Sequence, residues 1–80
     1  MHYVYILQSK KFSDQNYIGQ TDNVAQRLYV HNTGGSPHTA KYKPWKLISS
    51  ISFETKEKAI AFEKYLKSGS GRAFIKKRLL

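Results

Sequence analysis

The sequence of residues 3–20 is YVYILQSKKFSDQNYIGQ, and it holds two short segments rich in β-branched and aromatic residues. These segments, Tyr3–Leu7 and Tyr17–Gln20, have the composition of β-strands. The polar residues 10–16 between them are typical of a hairpin connection. We therefore predict that the chain begins with two antiparallel strands.

A helix is predicted directly after the hairpin. Thr21 or Asp22 can cap its first turn through a side-chain oxygen. Val24 and Leu28 are four residues apart and give the helix an apolar face. The glycines at 34–35 should end it.

The second half of the chain predicts one more strand and two more helices. Residues 34–45 contain glycine and proline and are expected to form a loop, followed by a strand over Leu47–Phe53. Thr55 can cap the next helix, and residues 68–71 should break it before a short basic helix over residues 72–80. The buried face of the middle helix is expected to contain Ala59, Phe62 and Leu66.

The predicted element order is therefore β-β-α-β-α-α, in a single domain covering residues 1–80. It corresponds to a small α+β fold in which helices pack on a three-stranded sheet. The chain has 80 residues and no cysteine. Neither a disulfide nor a cysteine-ligated zinc ion can therefore stabilise the domain. Without a long apolar run or a secretion signal, we expect a soluble cytoplasmic protein.

Charge is the strongest feature of the composition. Fourteen Lys and Arg residues face five Asp and Glu residues, which gives a formal net charge of +9. Such a surface attracts polyanions, and nucleic acid is the partner we expect. A solvated basic surface without a ligand and an anionic membrane are the alternatives. The membrane is disfavoured because the basic residues are dispersed rather than collected on one amphipathic helix.

Several side chains could together act on a phosphodiester. Arg27 and His31 are four residues apart and share one helix face next to the second strand. Tyr3 and Tyr5 point to the same side of the first strand, so Tyr5 can approach Tyr17 across the hairpin. Arg27 could then clamp a phosphate with its planar guanidinium. Taken singly, each residue also has a structural explanation as a strand aromatic, a solvated cation or a structural histidine.

Glu63 lies beside Phe62 in an otherwise apolar stretch of the predicted middle helix. A carboxylate at the edge of an apolar face requires a partner or a metal ion. An ion pair with Lys67, one turn further along the helix, is the alternative to a metal.

The order and spacing of these motifs resemble the GIY-YIG nuclease superfamily across nearly the whole chain. The resemblance is carried by Tyr3-Val4-Tyr5, Tyr17-Ile18-Gly19, Arg27, His31 and Glu63. It implies a β-β-α-β-α core and metal-dependent hydrolysis of nucleic acid. Two positions depart from the pattern: Tyr3 stands where the motif name has glycine, and Gln20 where some relatives have lysine.

The resemblance also implies a role for each matched residue. Tyr5 or Tyr17 would act as general base or relay a proton, with His31 as an alternative acceptor. Arg27 would contact the scissile phosphate, and Glu63 would hold one Mg²⁺ or Mn²⁺ ion.

Beyond these motifs, the cations that we expect to contact the nucleic-acid backbone are Lys41, Lys43, Lys67, Arg72 and Lys76. DNA is the expected substrate, and cleavage should have low intrinsic sequence specificity because so small a domain carries no visible base-reading motif. A protein partner could supply specificity. Two alternatives stay open: a nucleic-acid-binding module of the same fold without turnover, and a protein that works through a partner.

Overall fold

A three-stranded antiparallel sheet in the order β2-β1-β3 lies at the centre of the computed structural model, which describes residues 1–80. The elements are β1 (His2–Ser9), β2 (Asn16–Thr21), α1 (Val24–Thr33), α2 (Pro37–Ala40), β3 (Trp45–Phe53), α3 (Lys56–Leu66) and α4 (Gly69–Phe74), and a π-helical turn over Ile75–Leu79 continues α4. The predicted α+β class and its three-stranded sheet are confirmed.

The central strand β1 separates two different cores, because its side chains alternate between the faces of the sheet. On one face, Val4 and Ile6 pack with Ala59 and Leu66 of α3 and with Ile75. All five side chains are buried.

On the opposite face, Tyr5, Leu7 and Trp45 form the buried cluster. Val24 and Leu28 of α1 pack against it, as the four-residue spacing predicts. This second face therefore brings α1, and with it Arg27 and His31, next to the tyrosines of the hairpin.

The cap of α1 was assigned wrongly by the sequence pattern. Asn23, rather than Thr21 or Asp22, is the capping residue, and its side-chain oxygen accepts a hydrogen bond from the Gln26 amide. The Thr21 hydroxyl accepts instead from the Asn23 amide, which fixes the turn before the helix. Three adjacent residues with suitable side-chain oxygens compete here, and composition alone does not rank them.

The predicted loop over residues 34–45 contains the short helix α2, and β3 begins at Trp45 rather than at Leu47. Pro37 occupies the start of α2, where a missing amide hydrogen costs nothing. Asn32 explains the earlier start of β3, because its side-chain amide hydrogen-bonds to both the backbone N–H and the carbonyl of Trp45.

Residues 68–71 end α3 as predicted, but they do not form a loop. Ser68 caps α4 by accepting from the Gly71 amide, so the final helix begins before Arg72. Gly71 is buried where α4 crosses the end of α3, and a Cβ atom there would lie 1.9 Å from the Tyr65 carbonyl oxygen. The glycine thus permits close helix packing, a requirement that local composition does not reveal.

None of the helices combines the length and apolar character needed to span a bilayer.

Candidate active site

Tyr5 is at the centre of the candidate site. It lies on the middle strand of the sheet, opposite Gly19 of β2, and is 1% exposed. Its ring centroid is 6.1 Å from that of Tyr17, so the predicted approach of the two phenols is found.

Gly19 has a physical role in this arrangement. A Cβ atom at this position would lie 2.6 Å from the Tyr5 hydroxyl oxygen and 2.9 Å from the Tyr17 ring. These distances are shorter than van der Waals contact, and the Tyr5 ring is enclosed and unable to move away. The Tyr-Ile-Gly triplet therefore needs its glycine so that both phenols can lie over the backbone of β2.

His31 completes the cluster from α1. It is fully buried, and its Nε2 atom is 3.1 Å from the Tyr5 hydroxyl. Its other ring nitrogen, Nδ1, is 2.8 Å from the Thr39 hydroxyl of α2. The imidazole also packs on Tyr17, with 4.6 Å between ring centroids.

Arg27 lies one helical turn before His31 and faces the same phenols. Burial raises the pKa of Tyr5, and the Arg27 guanidinium acts against this by favouring the phenolate. The Tyr5 phenol in turn raises the pKa of Arg27, which stays protonated in any case. The cation is thus placed to stabilise negative charge at the hydroxyl that His31 contacts.

The pKa of His31 is lowered, first by burial and second by the nearby Arg27 charge. The imidazole is therefore neutral at neutral pH. A neutral imidazole has one ring nitrogen free to accept a hydrogen bond or a proton.

Tyr17 connects this buried cluster with the surface. It lines an open groove of about 570 Å³ between β2 and the C-terminal helix. Three of the cations predicted to contact nucleic acid, Lys67, Arg72 and Lys76, line the same groove. A polyanion in the groove would therefore lie next to Tyr17.

Glu63 lies on α3, the helix that packs on the other face of the sheet, and its side chain is 19% exposed. Its carboxylate forms an ion pair with Lys67 at 2.8 Å, so the alternative raised by the helical spacing is found in the structure. Because Lys67 lines the groove with Tyr17, this pair lies at its edge. No three His, Asp or Glu side chains of the chain cluster as metal ligands.

The remaining two predicted contacts, Lys41 and Lys43, lie apart from the groove. Both are exposed, in the segment between α2 and β3. The Lys41 ammonium stands 5.1 Å from the centroid of the Tyr42 ring. Any contact they make with a ligand must therefore involve a surface beyond the groove.

Thr39 is the site residue that the sequence reasoning missed, because it lies in the segment predicted as a loop. It is 2% exposed, and its backbone carbonyl accepts from the Trp45 indole N–H at 3.0 Å. Ser36-Pro37 was an available signal, since a serine followed by proline is typical of a helix start. Nothing in the local pattern, however, indicates contact with His31.

Residues 1–78 match the sequence model of a protein family, which is described as the GIY-YIG catalytic domain. The chain belongs to the GIY-YIG family. Among similar proteins, a UPF0213 protein of Clostridium perfringens is 40% identical over 68 residues, which cover 84% of this chain and 71% of that protein. The solution NMR structure of a UPF0213 protein from Bacillus halodurans is similar with a TM-score of 0.57 and 30% identity, covering 98% of this chain and 85% of that one.

A third similar protein carries a functional name. The structure-specific endonuclease subunit SLX1 homolog of Giardia intestinalis is 34% identical over 65 residues, which cover 76% of this chain but 18% of that protein. The matched segments make up 65% to 71% of the UPF0213 proteins from Clostridium perfringens, Lactococcus lactis and Streptococcus pneumoniae. The comparisons therefore support nuclease chemistry at the level of the family.

Proposed function

We propose that this chain is an endonuclease that hydrolyses phosphodiester bonds of nucleic acid with the help of one divalent metal ion. The observation that carries the proposal is a buried cluster in which His31 is at hydrogen-bond distance from the Tyr5 hydroxyl and Tyr17 packs beside both rings. Arg27 acts on the pKa of the Tyr5 phenol, and Tyr17 also lines a basic groove. We propose DNA as the substrate, and cleavage of RNA of the same sequence is the comparison that tests this choice.

The groove supplies binding, and its chemistry favours the backbone over the bases. Its cations Lys67, Arg72 and Lys76 are all exposed. Flexible cations of this kind neutralise phosphates and release counterions, which gives affinity without sequence information. Low intrinsic sequence specificity follows, and a protein partner would be required for any stricter choice of site.

The proton chemistry is assigned to the tyrosines and His31. Tyr17, which lines the groove, would hold the attacking water, and the Tyr5–His31 pair behind it would accept the proton. An unperturbed tyrosine has a pKa near ~10, so a phenolate at neutral pH requires a nearby positive charge. Arg27 supplies such a charge, although burial still keeps the pKa of Tyr5 raised, and its guanidinium would also stabilise the charge that develops on the phosphate.

Glu63 is the residue proposed to hold the metal ion. One half-buried carboxylate is a sufficient protein ligand for Mg²⁺ or Mn²⁺ only if water and phosphate oxygens fill the other positions, as Mg²⁺ commonly allows. Glu63 lies at the edge of the groove, where its carboxylate is paired with Lys67, so binding of the ion would require Lys67 to turn away from it. When bound, the ion would stabilise the leaving oxygen.

The test compares Glu63→Gln with Glu57→Gln, an exposed carboxylate in the first turn of the same helix. Cleavage of labelled duplex, single-stranded and branched DNA, and of matched RNA, is measured in Mg²⁺, in Mn²⁺ and in excess chelator. We expect the Glu63 variant to bind DNA as well as the parent but to lose hydrolysis, and the control to keep both. Full metal-dependent cleavage by Glu63→Gln would remove this residue from the mechanism.

A binding module without turnover is the second candidate. It is favoured by one observation, namely that Glu63 is already paired with Lys67 and belongs to no cluster of three His, Asp or Glu side chains that could hold a metal. In that case the parent protein would bind DNA in a salt-dependent manner, and no DNA or RNA substrate would be cut at any concentration of either metal ion.

A further inference from the structure

We propose that Thr39 is a positioning residue, which holds His31 as the Nδ1–H tautomer so that Nε2 is free to accept the Tyr5 proton. The short helix α2 would then be part of the catalytic centre rather than a connection. The effect of the tautomer on cleavage rests on the proposed nuclease function. The tautomer itself can be measured without any cleavage.

The hydrogen bonds of Thr39 favour this tautomer. Its hydroxyl oxygen lies 2.8 Å from His31 Nδ1 and 3.3 Å from the Ser36 carbonyl oxygen. A carbonyl can only accept, so the threonine hydrogen has an acceptor there. The hydroxyl oxygen is then left to accept from a protonated Nδ1.

The other end of the imidazole leads to the same assignment. The Tyr5 hydroxyl is buried, and its hydrogen-bond partner is His31 Nε2 at 3.1 Å. Arg27 and Tyr17 both act on the pKa of this phenol, but a guanidinium has only donors and cannot take the phenol hydrogen. The Tyr17 ring lies 6.1 Å from that of Tyr5, between centroids, and the Tyr17 hydroxyl makes no hydrogen bond to the Tyr5 hydroxyl. The hydrogen of Tyr5 is therefore directed to Nε2, which must be unprotonated to accept it.

Tyr5, His31 and Thr39 stay hydrogen-bonded both before and after a proton moves from Tyr5 to His31. When the Tyr5 O–H bond breaks and an Nε2–H bond forms, the products are a phenolate beside Arg27 and an imidazolium. Nε2–H then donates to the phenolate, and Nδ1–H still donates to Thr39. The phenolate can next take a proton from water, so no group in the chain loses its partner during the step.

Packing holds Thr39 in the required place. Its backbone carbonyl accepts from the Trp45 indole, and Trp45 is in turn fixed by two hydrogen bonds to Asn32 on α1. The helix that carries His31 and the helix that carries Thr39 are thus tied to the same tryptophan. A histidine whose second nitrogen has a fixed partner keeps a single tautomer.

The experiment records two-bond ¹H–¹⁵N spectra of the imidazoles in the uniformly ¹⁵N-labelled full chain near neutral pH. The three histidines are assigned with His2→Gln and His38→Gln variants. We expect His31 in the parent protein to show a protonated Nδ1 and an unprotonated Nε2. Thr39→Val, which replaces the hydroxyl with a methyl group of similar size, should shift the population toward Nε2–H, and Thr39→Ser, which keeps the hydroxyl, should give the parent spectrum.

Cleavage provides the second readout. Thr39→Val should cut DNA about ten- to a hundredfold more slowly, the usual cost of removing the partner that orients a functional histidine, and Thr39→Ser should recover most of the loss. An Nε2–H tautomer in the parent, or an unchanged His31 spectrum in a slow Thr39→Val variant, would overturn the inference. If the Thr39→Val variant does not fold, the spectrum of the parent protein still shows which tautomer His31 adopts. Absence of cleavage by the parent contradicts the proposed function instead, and it leaves the tautomer result intact.

Discussion

The two faces of the sheet are built from different chemistry, although they share the central strand β1. The face beneath α3 is apolar, with aliphatic side chains such as Val4, Ile6 and Leu66 at its centre. The face beneath α1 is also buried but contains the imidazole of His31, which is hydrogen-bonded through one ring nitrogen to the Tyr5 phenol and through the other to the Thr39 hydroxyl.

This difference indicates a division of labour between the faces. Aliphatic burial provides non-directional stability, at roughly 25 cal/mol per Å² removed from water. Buried polar groups add little net stability, since each hydrogen bond only replaces one that water would make. A small domain has few core positions to spare, so the polar side chains under α1 point to a function.

The largest expected effect is on the face beneath α1. Tyr5→Phe removes one oxygen atom and leaves the ring packing in place. We expect cleavage to fall about 10²- to 10⁴-fold, the usual contribution of a positioned acid or base, while the free energy of unfolding changes by about 1 kcal/mol. Single-turnover cleavage and urea unfolding are measured on the same preparation.

Tyr29→Phe is the matched control, because Tyr29 is an exposed phenol on α1 that does not line the groove. It should behave as the parent in both assays. Unchanged cleavage by Tyr5→Phe would mean that the phenol is a structural group. It would contradict the assignment of catalysis to the face beneath α1.

On the face beneath α3, a substitution should lower stability and leave cleavage nearly unchanged. Leu66→Ala creates a cavity in the aliphatic cluster, and we expect it to lower the free energy of unfolding by about 2–5 kcal/mol. Cleavage per folded molecule, measured well below the melting temperature, should stay within a few-fold of the parent. A specific loss of cleavage in molecules shown to be folded would indicate that the aliphatic face also shapes the active site.

The smallest effect is expected at the rim of the groove. Lys76→Gln removes one phosphate contact, so the slope of log affinity against log salt concentration should become shallower by about one. Lys58→Gln, an exposed lysine on α3 that does not line the groove, serves as control and should alter the slope less. Equal slopes for the two variants would mean that binding uses the overall charge rather than the groove. Fluorescence anisotropy with a labelled oligonucleotide gives both slopes.

The hairpin and the first helix could be predicted because their signals are local. Alternation along Tyr3–Leu7 and the four-residue spacing of Arg27 and His31 determine which side chains share a face, and the structure places them accordingly. The family resemblance added Glu63, whose ion pair with Lys67 was also foreseen from helical spacing.

The parts that were not predicted depend on contacts between distant segments. Thr39 reaches His31 only because α2 folds back beneath α1, and Gly71 is required only because α4 crosses α3 closely. Which of three adjacent polar residues caps α1 is decided by the path of the chain leaving β2. None of these choices leaves a periodic pattern in the sequence.

The most direct test of the account is a crystal structure of the slowly cleaving Tyr5→Phe variant with a DNA strand and Mn²⁺. We predict that one phosphate lies at the Tyr17 end of the groove within contact of Arg27, with the ion bound to Glu63 and with Lys67 turned toward the backbone. A DNA backbone bound away from Tyr17, or an ion that does not touch Glu63, would contradict the account.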